Sequence, residues 1–206
     1  MLVRDIMTRN PISVQPETSI HDAFLLMQNH QIRHLPIMQD GDLLGMVSNR
    51  DIRWVVSAFV TPQVEVLQTQ SVEQLMVQPV LTVDEEQPIE EAARIMRSHK
   101  VGSLMVLNDH DQVVGIVTGI DLLDAIINLT GVHQPSSRLE VELKSEPGEL
   151  ARVSQLMADL GINIVSVLTS QTDDHHQRFV FRIQTINARV AAHKLRAAGF
   201  QVVYPQ

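Results

Sequence analysis

The chain has 206 residues, a net charge of −8 with histidines neutral, 44% hydrophobic residues and only 3% aromatic ones. That length suits one large domain or two to three small ones, with a core of Val, Leu, Ile, Met and Ala. The acidic balance argues against sequence-independent nucleic-acid binding, which needs a basic face, and the lack of cysteine excludes disulfides, thiolate metal sites and cysteine nucleophiles.

The start, Met1 to Asp5, has no apolar core of the signal-peptide type. The uncharged stretch near Trp54 to Val64 is too short and too polar to span a bilayer. A soluble cytoplasmic protein is the expectation. Residues 12–14 are a short β-rich run, and Thr18 can cap a helix carrying Ile20, Ala23, Phe24 and Met27, which should fade near Asn29-His30. Leu35 to Met38 and Leu43 to Val47 are apolar runs joined through Asp40-Gly41, a strong hairpin signal. Ser48 then stands where a helix N-cap belongs, ahead of Ile52, Val55, Val56 and Phe59. This stretch reads β-α-β-β-α.

The pattern then recurs. Val80 to Val83 is a strand, Pro88 to Ser98 a helix, Ser103 to Leu107 and Val113 to Val117 a hairpin, and Thr118 caps a helix holding Leu122, Leu123, Ile126 and Ile127. The repeat is explicit. Val3, Met7, Val14, Ile20, Ala23, Met27 and His30 return as Val72, Met76, Val83, Ile89, Ala92, Met96 and His99. Gly45-Met46-Val47-Ser48-Asn49-Arg50-Asp51 returns as Gly115-Ile116-Val117-Thr118-Gly119-Ile120-Asp121, one residue further on. A long period present only twice is a tandem module rather than a solenoid. The organisation is 1–60 for the first motif, 61–70 for a Gln-rich connector, 71–130 for the second motif and 131–137 for a Gly, Pro and Ser linker. Residues 138–206 follow with alternating strands, the Pro147-Gly148 turn, and helices closed by Gly161 and Gly199, in the order βαββαβ of a ferredoxin-like unit.

Each half carries Gly-x-x-Ser/Thr-x-x-Asp at a strand-to-helix junction. First-turn amides and the helix dipole favour an anion there. A hydroxyl can add a donor to phosphate, and a carboxylate one turn on can accept from a ribose diol. The same spacing is also a plain capping box, which needs no ligand. Two copies at corresponding positions favour the nucleotide reading.

Residues 1–130 resemble a tandem pair of cystathionine-β-synthase (CBS) domains. The resemblance rests on Asp5-Ile6-Met7-Thr8, on Arg33-His34-Leu35-Pro36-Ile37, on the two Gly-x-x-Ser/Thr-x-x-Asp segments and on the repeat. It implies an α/β (α+β) fold with two β-α-β-β-α motifs packed as a pseudo-twofold module that binds adenine nucleotides or S-adenosylmethionine as regulatory ligands. By resemblance, Ser48 and Thr118 would touch phosphate, and Asp51 and Asp121 would hold ribose. Ile12, Ser13, Leu35 and Pro36 would line the first base pocket, and Leu81, Thr82, Leu104 and Met105 the second. Arg33, His34 and Arg50, with Arg53 nearby, belong to the first half alone. Gly102 and Ser103 stand at the places of Arg33 and His34. Arginine suits phosphate, so phosphate-rich ligands should favour the first cleft.

Residues 138–206 resemble an ACT domain through Glu146-Pro147-Gly148-Glu149-Leu150 and Leu160-Gly161-Ile162-Asn163-Ile164. That implies an effector site or subunit contact at Gly148 and Asn163, although turn residues need no ligand to explain them. The CBS–CBS–ACT order looks like the acetoin-utilisation regulatory proteins of bacteria. The expectation is a homodimeric, non-enzymatic sensor with no required cofactor and no metal site; His175-His176 beside Asp173-Asp174 reads as a solvated hairpin tip. The alternatives are an assembly adaptor with degenerate sites and a nucleotide-processing enzyme. The latter has no nucleophile, base and orienter that can be placed together.

Overall fold

A computed structural model describes residues 1–58, 64–173 and 175–206, with the side chains of 55–58 and 64–66 left out. Phe59, residues 61–63 of the predicted connector and Asp174 of the predicted turn lie outside the described residues, as do the side chains of Val55 and Val56. The chain divides into two compact units, Met1–Leu122 and Leu123–Gln206. No described helix is long and apolar enough to cross a membrane.

The first unit opens with strand β1 (Thr8–Arg9), helix α1 (Ile20–Asn29), the hairpin β2 (His34–Gln39) and β3 (Asp42–Ser48), and helix α2 (Asn49–Ala58). The cap of α1 is Ser19 rather than the predicted Thr18. The Asp22 amide donates to Ser19 Oγ at 3.0 Å, so the helix starts one residue later. Asp40 and Gly41 both take positive φ, +53° and +97°, as a two-residue hairpin turn requires. Part of the predicted connector is helical, as α3 (Val64–Thr69), and Leu67 packs against the core of Val14, Ile20, Ala23, Met27, Leu35, Ile37, Val47, Ile52 and Val72.

The second copy supplies β4 (Thr82–Asp84), α4 (Ile89–His99), β5 (Ser103–Leu107), β6 (Val113–Thr118) and α5 (Gly119–Thr130). The unit boundary falls inside α5. Helix α4 is held at both ends by sequence: Glu90 and Glu91 meet the positive end of the dipole, and Arg97 and His99 the negative end. The inserted residue lengthens the β5–β6 turn, where Asn108 Oδ1 accepts from the His110 and Gln112 amides.

The halves exchange their leading segments. β1 pairs antiparallel with β6, Thr8 opposite Ile116, and Val77 bridges Met46 in the equivalent way. The Val3 amide donates to Gln87 and the Val72 amide to Thr18, both at 2.9 Å. Ile89 donates to Met1 and Ile20 to Gln70, at 3.3 and 2.9 Å. Every one of these contacts has its mirror in the other half, which is the signature of a pseudo-twofold module.

Residues 12–14 do not form the predicted strand. In the second half β4 pairs parallel with β5, and the ladder is closed at its ends by Met105 N–H to the Leu81 carbonyl (3.1 Å) and Glu85 N–H to the Leu107 carbonyl (2.9 Å). The repeat puts Pro36 and Pro16 at the places of those two donors. Neither has an N–H. Only Val14 to Pro36 (3.0 Å) and Met38 to Val14 (2.9 Å) survive, leaving an isolated bridge.

The second unit contains β7 (Ser137–Lys144), α6 (Glu149–Asp159), β8 (Ile164–Gln171), β9 (His176–Ile183), α7 (Ala188–Ala197) and β10 (Gln201–Tyr204). Its antiparallel sheet has the order β10-β7-β9-β8, which is the ferredoxin-like arrangement. Leu139, Val141, Leu143, Phe179, Phe181 and Ile183 alternate onto the face covered by Val153 and Met157 of α6 and Ala191, Ala192 and Leu195 of α7. Leu150 and Val190, which share the predicted helical spacing, face outward at 40% and 55% exposure. The C-terminal end of α5 joins this unit, where Ser166 Oγ donates to the Thr130 carbonyl at 2.7 Å.

Candidate functional site

The two Gly-x-x-Ser/Thr-x-x-Asp segments build the same local structure. Ser48 and Thr118 end β3 and β6, and α2 and α5 begin at the next residue. The Ser48 amide and hydroxyl both donate to Asp51 Oδ2, at 2.9 and 2.6 Å. The Thr118 amide and hydroxyl do the same to Asp121 Oδ2, both at 2.7 Å. The Asp51 and Asp121 amides sit 3.4 Å from the hydroxyl oxygens. The capping box is therefore formed in both halves.

This bonding narrows what each helix start offers a ligand. The hydroxyl protons are committed to the carboxylates, so Ser48 and Thr118 must release Asp51 and Asp121 before donating to phosphate. The Asn49 amide donates to the Arg33 carbonyl (2.9 Å) and the Gly119 amide to the Gly102 carbonyl (3.0 Å). Among first-turn amides, those of Arg50 and Ile120 keep no acceptor among the described residues. The Oδ1 atoms of Asp51 and Asp121 likewise take no hydrogen bond from a described residue, and both side chains are half-buried. A half-buried carboxylate with one free oxygen is an acceptor suited to a diol.

The register places the remaining predicted residues. His34 lies opposite Ser48, Leu35 opposite Val47 and Pro36 opposite Met46. Ser103 lies opposite Thr118, Leu104 opposite Val117 and Met105 opposite Ile116. Thr82 pairs with Met105. Leu35, Pro36, Leu104 and Met105 are buried, Ile12 and Leu81 are half-buried, and Ser13 and Thr82 are exposed. Ser103, buried at 8%, holds the place of His34.

The charged groups fall on one side. Burial holds the His34 imidazole below its ordinary value; Arg33 and Arg50 push the same way and Asp51 opposes them. His34 thus shares its surroundings with Arg33, Arg50 and Asp51. It also touches the other half: a Cβ on Gly102 would lie 3.0 Å from the imidazole Cε1 and Nε2. In the second half Ile120 replaces Arg50, Gly119 replaces Asn49, and Gly102 replaces Arg33.

Gly148 and Asn163 are not brought together within one chain. Gly148, with φ of +93°, precedes the eleven-residue α6, and Asn163 follows it. A helix of that length holds its ends roughly 16 Å apart. Asn163 Nδ2 reaches Gln184 Oε1 at 3.4 Å. Asp173 organises the β8–β9 turn by accepting from the His175 and His176 amides at 2.7 and 2.8 Å, which holds its carboxyl below the usual range. Two cavities lie largely apart from the predicted site residues. One of about 330 Å³ is lined by Thr82, Asp84, Glu91, Leu107 and Asp111 among others, and shares only Thr82 with the predicted pockets. The other, of about 210 Å³, lies between Lys144, Glu146, His175 and His176 beside the Pro147-Gly148 turn.

The sequence matches known families along most of the chain. Residues 3–58 and 72–128 match the CBS domain family, and residues 136–204 match the TTHA0829-like ACT domain. The chain belongs to the CBS domain family. Its particular form is a tandem CBS pair followed by an ACT domain of the TTHA0829-like type. A CBS domain-containing protein of Dictyostelium discoideum is 30% identical over 143 residues, covering 66% of this chain and 99% of that protein. A homoserine O-acetyltransferase of Methanocorpusculum labreanum is 34% identical over 119 residues, 57% of this chain but only 23% of the enzyme. Among solved structures, a protein assigned to acetoin utilization (AcuB) from Vibrio cholerae is 31% identical, with a TM-score of 0.56 over 66% of this chain and 98% of that one. The CBS pair of protein MJ0100, solved with 5'-methylthioadenosine and S-adenosyl-L-methionine, is 29% identical, with a TM-score of 0.54 over 62% of this chain and 97% of that one. CBSX2, solved with AMP, is 28% identical, with a TM-score of 0.53 over 62% of this chain and 96% of that one.

Proposed function

We propose that the chain is a non-enzymatic regulatory sensor that binds adenine nucleotides or S-adenosylmethionine through its CBS pair. The observation that carries this reading is the twin hydroxyl–carboxylate pair at the starts of α2 and α5, each with a free carboxylate oxygen beside a buried apolar strand. Likeness to CBS pairs solved with AMP and with adenosyl ligands supports the ligand class. Asp51 and Asp121 hold ribose. Arg33, His34 and Arg50 give the first cleft its hold on phosphate, against the carboxylate that already occupies the helix start. The second cleft, without the two arginines and the histidine, favours ligands carrying less phosphate charge. No cofactor is required.

A ligand spanning both halves favours one arrangement of the module by its differential affinity for the two states. The ACT domain binds a small effector or forms the subunit contact. Because α6 separates Gly148 from Asn163, a shared effector site takes one residue from each of two chains. A homodimer is also supported by the outward-facing Leu123, Ile126, Ile127 and Leu129 of α5, each 36 to 56% exposed. Calorimetry on the full chain with AMP, ADP, ATP and S-adenosylmethionine tests the sensor reading; heats absent for all four overturn it and leave the adaptor. Sedimentation velocity tests the dimer, and a monomer at tens of micromolar ends that part of the proposal.

A further inference from the structure

We propose that the starts of α2 and α5 are coupled through the contact of His34 with Gly102, so that a change at the first capping box is felt at the second. The coupling is a property of the folded chain; that a nucleotide drives it rests on the reading above. The observation is a contact without a mirror. The exchanged leading segments match pair for pair between the halves, but the half-buried His34 imidazole crosses the seam alone. A Cβ on Gly102 would lie 3.0 Å from its Cε1 and Nε2. These are the only atoms of described residues, chain neighbours aside, within 4 Å of that point. Ser103 holds the place of His34, and a serine is too short to make the reverse crossing.

Gly102 is bonded in turn to the second helix start. Its carbonyl accepts the Gly119 amide at 3.0 Å. Gly119 opens α5 and directly follows Thr118, whose hydroxyl is held by Asp121. On the other side His34 lies opposite Ser48 in the hairpin, and the charges of Asp51, Arg33 and Arg50 act on its ring. A continuous path therefore runs from Asp51 through His34, Gly102 and Gly119 to Thr118. Such a path couples two places when an element on it has two arrangements that both places bias. The capping boxes supply that element, because each hydroxyl must release its carboxylate before donating to a ligand. An Asp51 carboxylate set free, or a phosphate brought to α2, changes the charge facing the imidazole. The ring shifts, and the support it gives Gly102 shifts with it.

Hydrogen exchange on the full chain, followed amide by amide by NMR, reads the coupling without any ligand. His34→Ala should speed exchange of the Gly119 amide several-fold and leave the Asn49 amide, its mirror, unchanged. Gly119 protection that stays the same overturns the inference, whatever the chain binds. Gly102 does not take a positive φ, and a methyl there meets only the end of a flexible side chain, so Gly102→Ala is a second probe. Once Gly102→Ala has moved the ring, His34→Ala should add nothing further at Gly119; additive effects would overturn the coupling. His34→Ala decides the matter alone if Gly102→Ala does not fold. AMP added to Asp121→Ala, where only the first cleft is intact, should alter Gly119 exchange, and should not do so once Gly102→Ala is also present. AMP that binds and leaves Gly119 unmoved overturns the coupling and spares the sensor reading. AMP that fails to bind overturns the sensor reading, and the ligand-free comparison still decides the coupling.

Discussion

The two halves of the CBS pair share a skeleton and differ in chemistry. Residues equivalent by the repeat make equivalent contacts, from the capping boxes to the exchanged leading segments. The differences lie at the edges of that skeleton. The first half replaces two ladder donors with Pro16 and Pro36 and surrounds His34 with Arg33, Arg50 and Asp51. The second keeps a closed ladder, buries Ser103 and carries Gly102 and Ile120 where the cations would stand. A duplicated module thus preserves what folds it and varies the charges and main-chain donors at its edges.

The largest expected effect tests how equal the skeleton is. A Cβ on Gly115 would lie 2.7 Å from Met7 Sδ and 2.9 Å from the Thr8 carbonyl oxygen. At Gly45 the obstacle is Met76, with Sδ at 2.8 Å and Cβ at 2.9 Å. Backbone paired in a sheet yields less than a methionine side chain. Gly115→Ala should cost about 3 kcal/mol in urea unfolding and Gly45→Ala about 1–2 kcal/mol, within the range for overpacked sites. Equal costs would mean that the two exchanged segments are held with the same rigidity, despite β1 forming a strand and Val77 only a bridge.

Ligand affinity tests the chemical inequality. Asp51→Ala and Asp121→Ala each remove one charged acceptor, a loss of roughly ten- to a hundredfold in the affected cleft. With ATP the loss should be greater for Asp51→Ala, because the proposed phosphate contacts of Arg33 and Arg50 lie in that half. Arg50→Ala should weaken ATP by a few-fold, on the scale of a partly exposed charge–charge contact, and AMP by less, and added salt should erase the difference. Equal losses of ATP binding from the two aspartate variants would remove the asymmetry.

Much of this organisation was legible in the sequence, for reasons that mark where legibility stops. The repeat, the hairpin turn at Asp40-Gly41 and the hydroxyl–carboxylate spacing are local patterns, and each appears in the structure where its residues stand. The exchange of leading segments was not legible, because Thr8 pairs with Ile116 across more than a hundred residues and leaves no local period. The only trace was that Met7 and Met76, and Gly45 and Gly115, recur together in the repeat. The fate of residues 12–14 was readable in principle. Their β-rich composition predicted a strand, and Pro16 and Pro36 carried the information that its ladder could not close. Ser19 displaced Thr18 as a cap because two adjacent hydroxyls satisfy the same pattern. The bonding that commits the Ser48 and Thr118 hydroxyls to their aspartates is a matter of geometry that spacing alone leaves open.

The smallest expected effect concerns His34, whose counterpart Ser103 does not titrate. Burial, Arg33 and Arg50 hold the imidazole below its ordinary value, and Asp51 only partly restores it. The unfolded chain therefore takes up this proton at a higher pH than the folded one. Above the unfolded value, near 6.5, the histidine is neutral in both states and costs nothing. As pH falls from there through the lowered folded value, the unfolded chain binds more protons and stability is lost; below the folded value the loss is complete. His34→Gln keeps a polar neutral side chain against Gly102 and removes the titration. Urea unfolding at pH 7.5 and 5.5 should show a smaller acid-side loss for His34→Gln than for the parent chain, while Ser103→Ala leaves the pH dependence unchanged. A phosphate bound beside His34 would favour the protonated ring, so AMP binding to the first cleft near pH 6 should take up protons, which calorimetry in buffers of different ionisation enthalpy detects. Proton uptake that persists in His34→Gln would show that the imidazole lies apart from the phosphate and that the inequality of the clefts rests on the arginines alone, and an unchanged acid-side loss would show that His34 is not the group behind that loss.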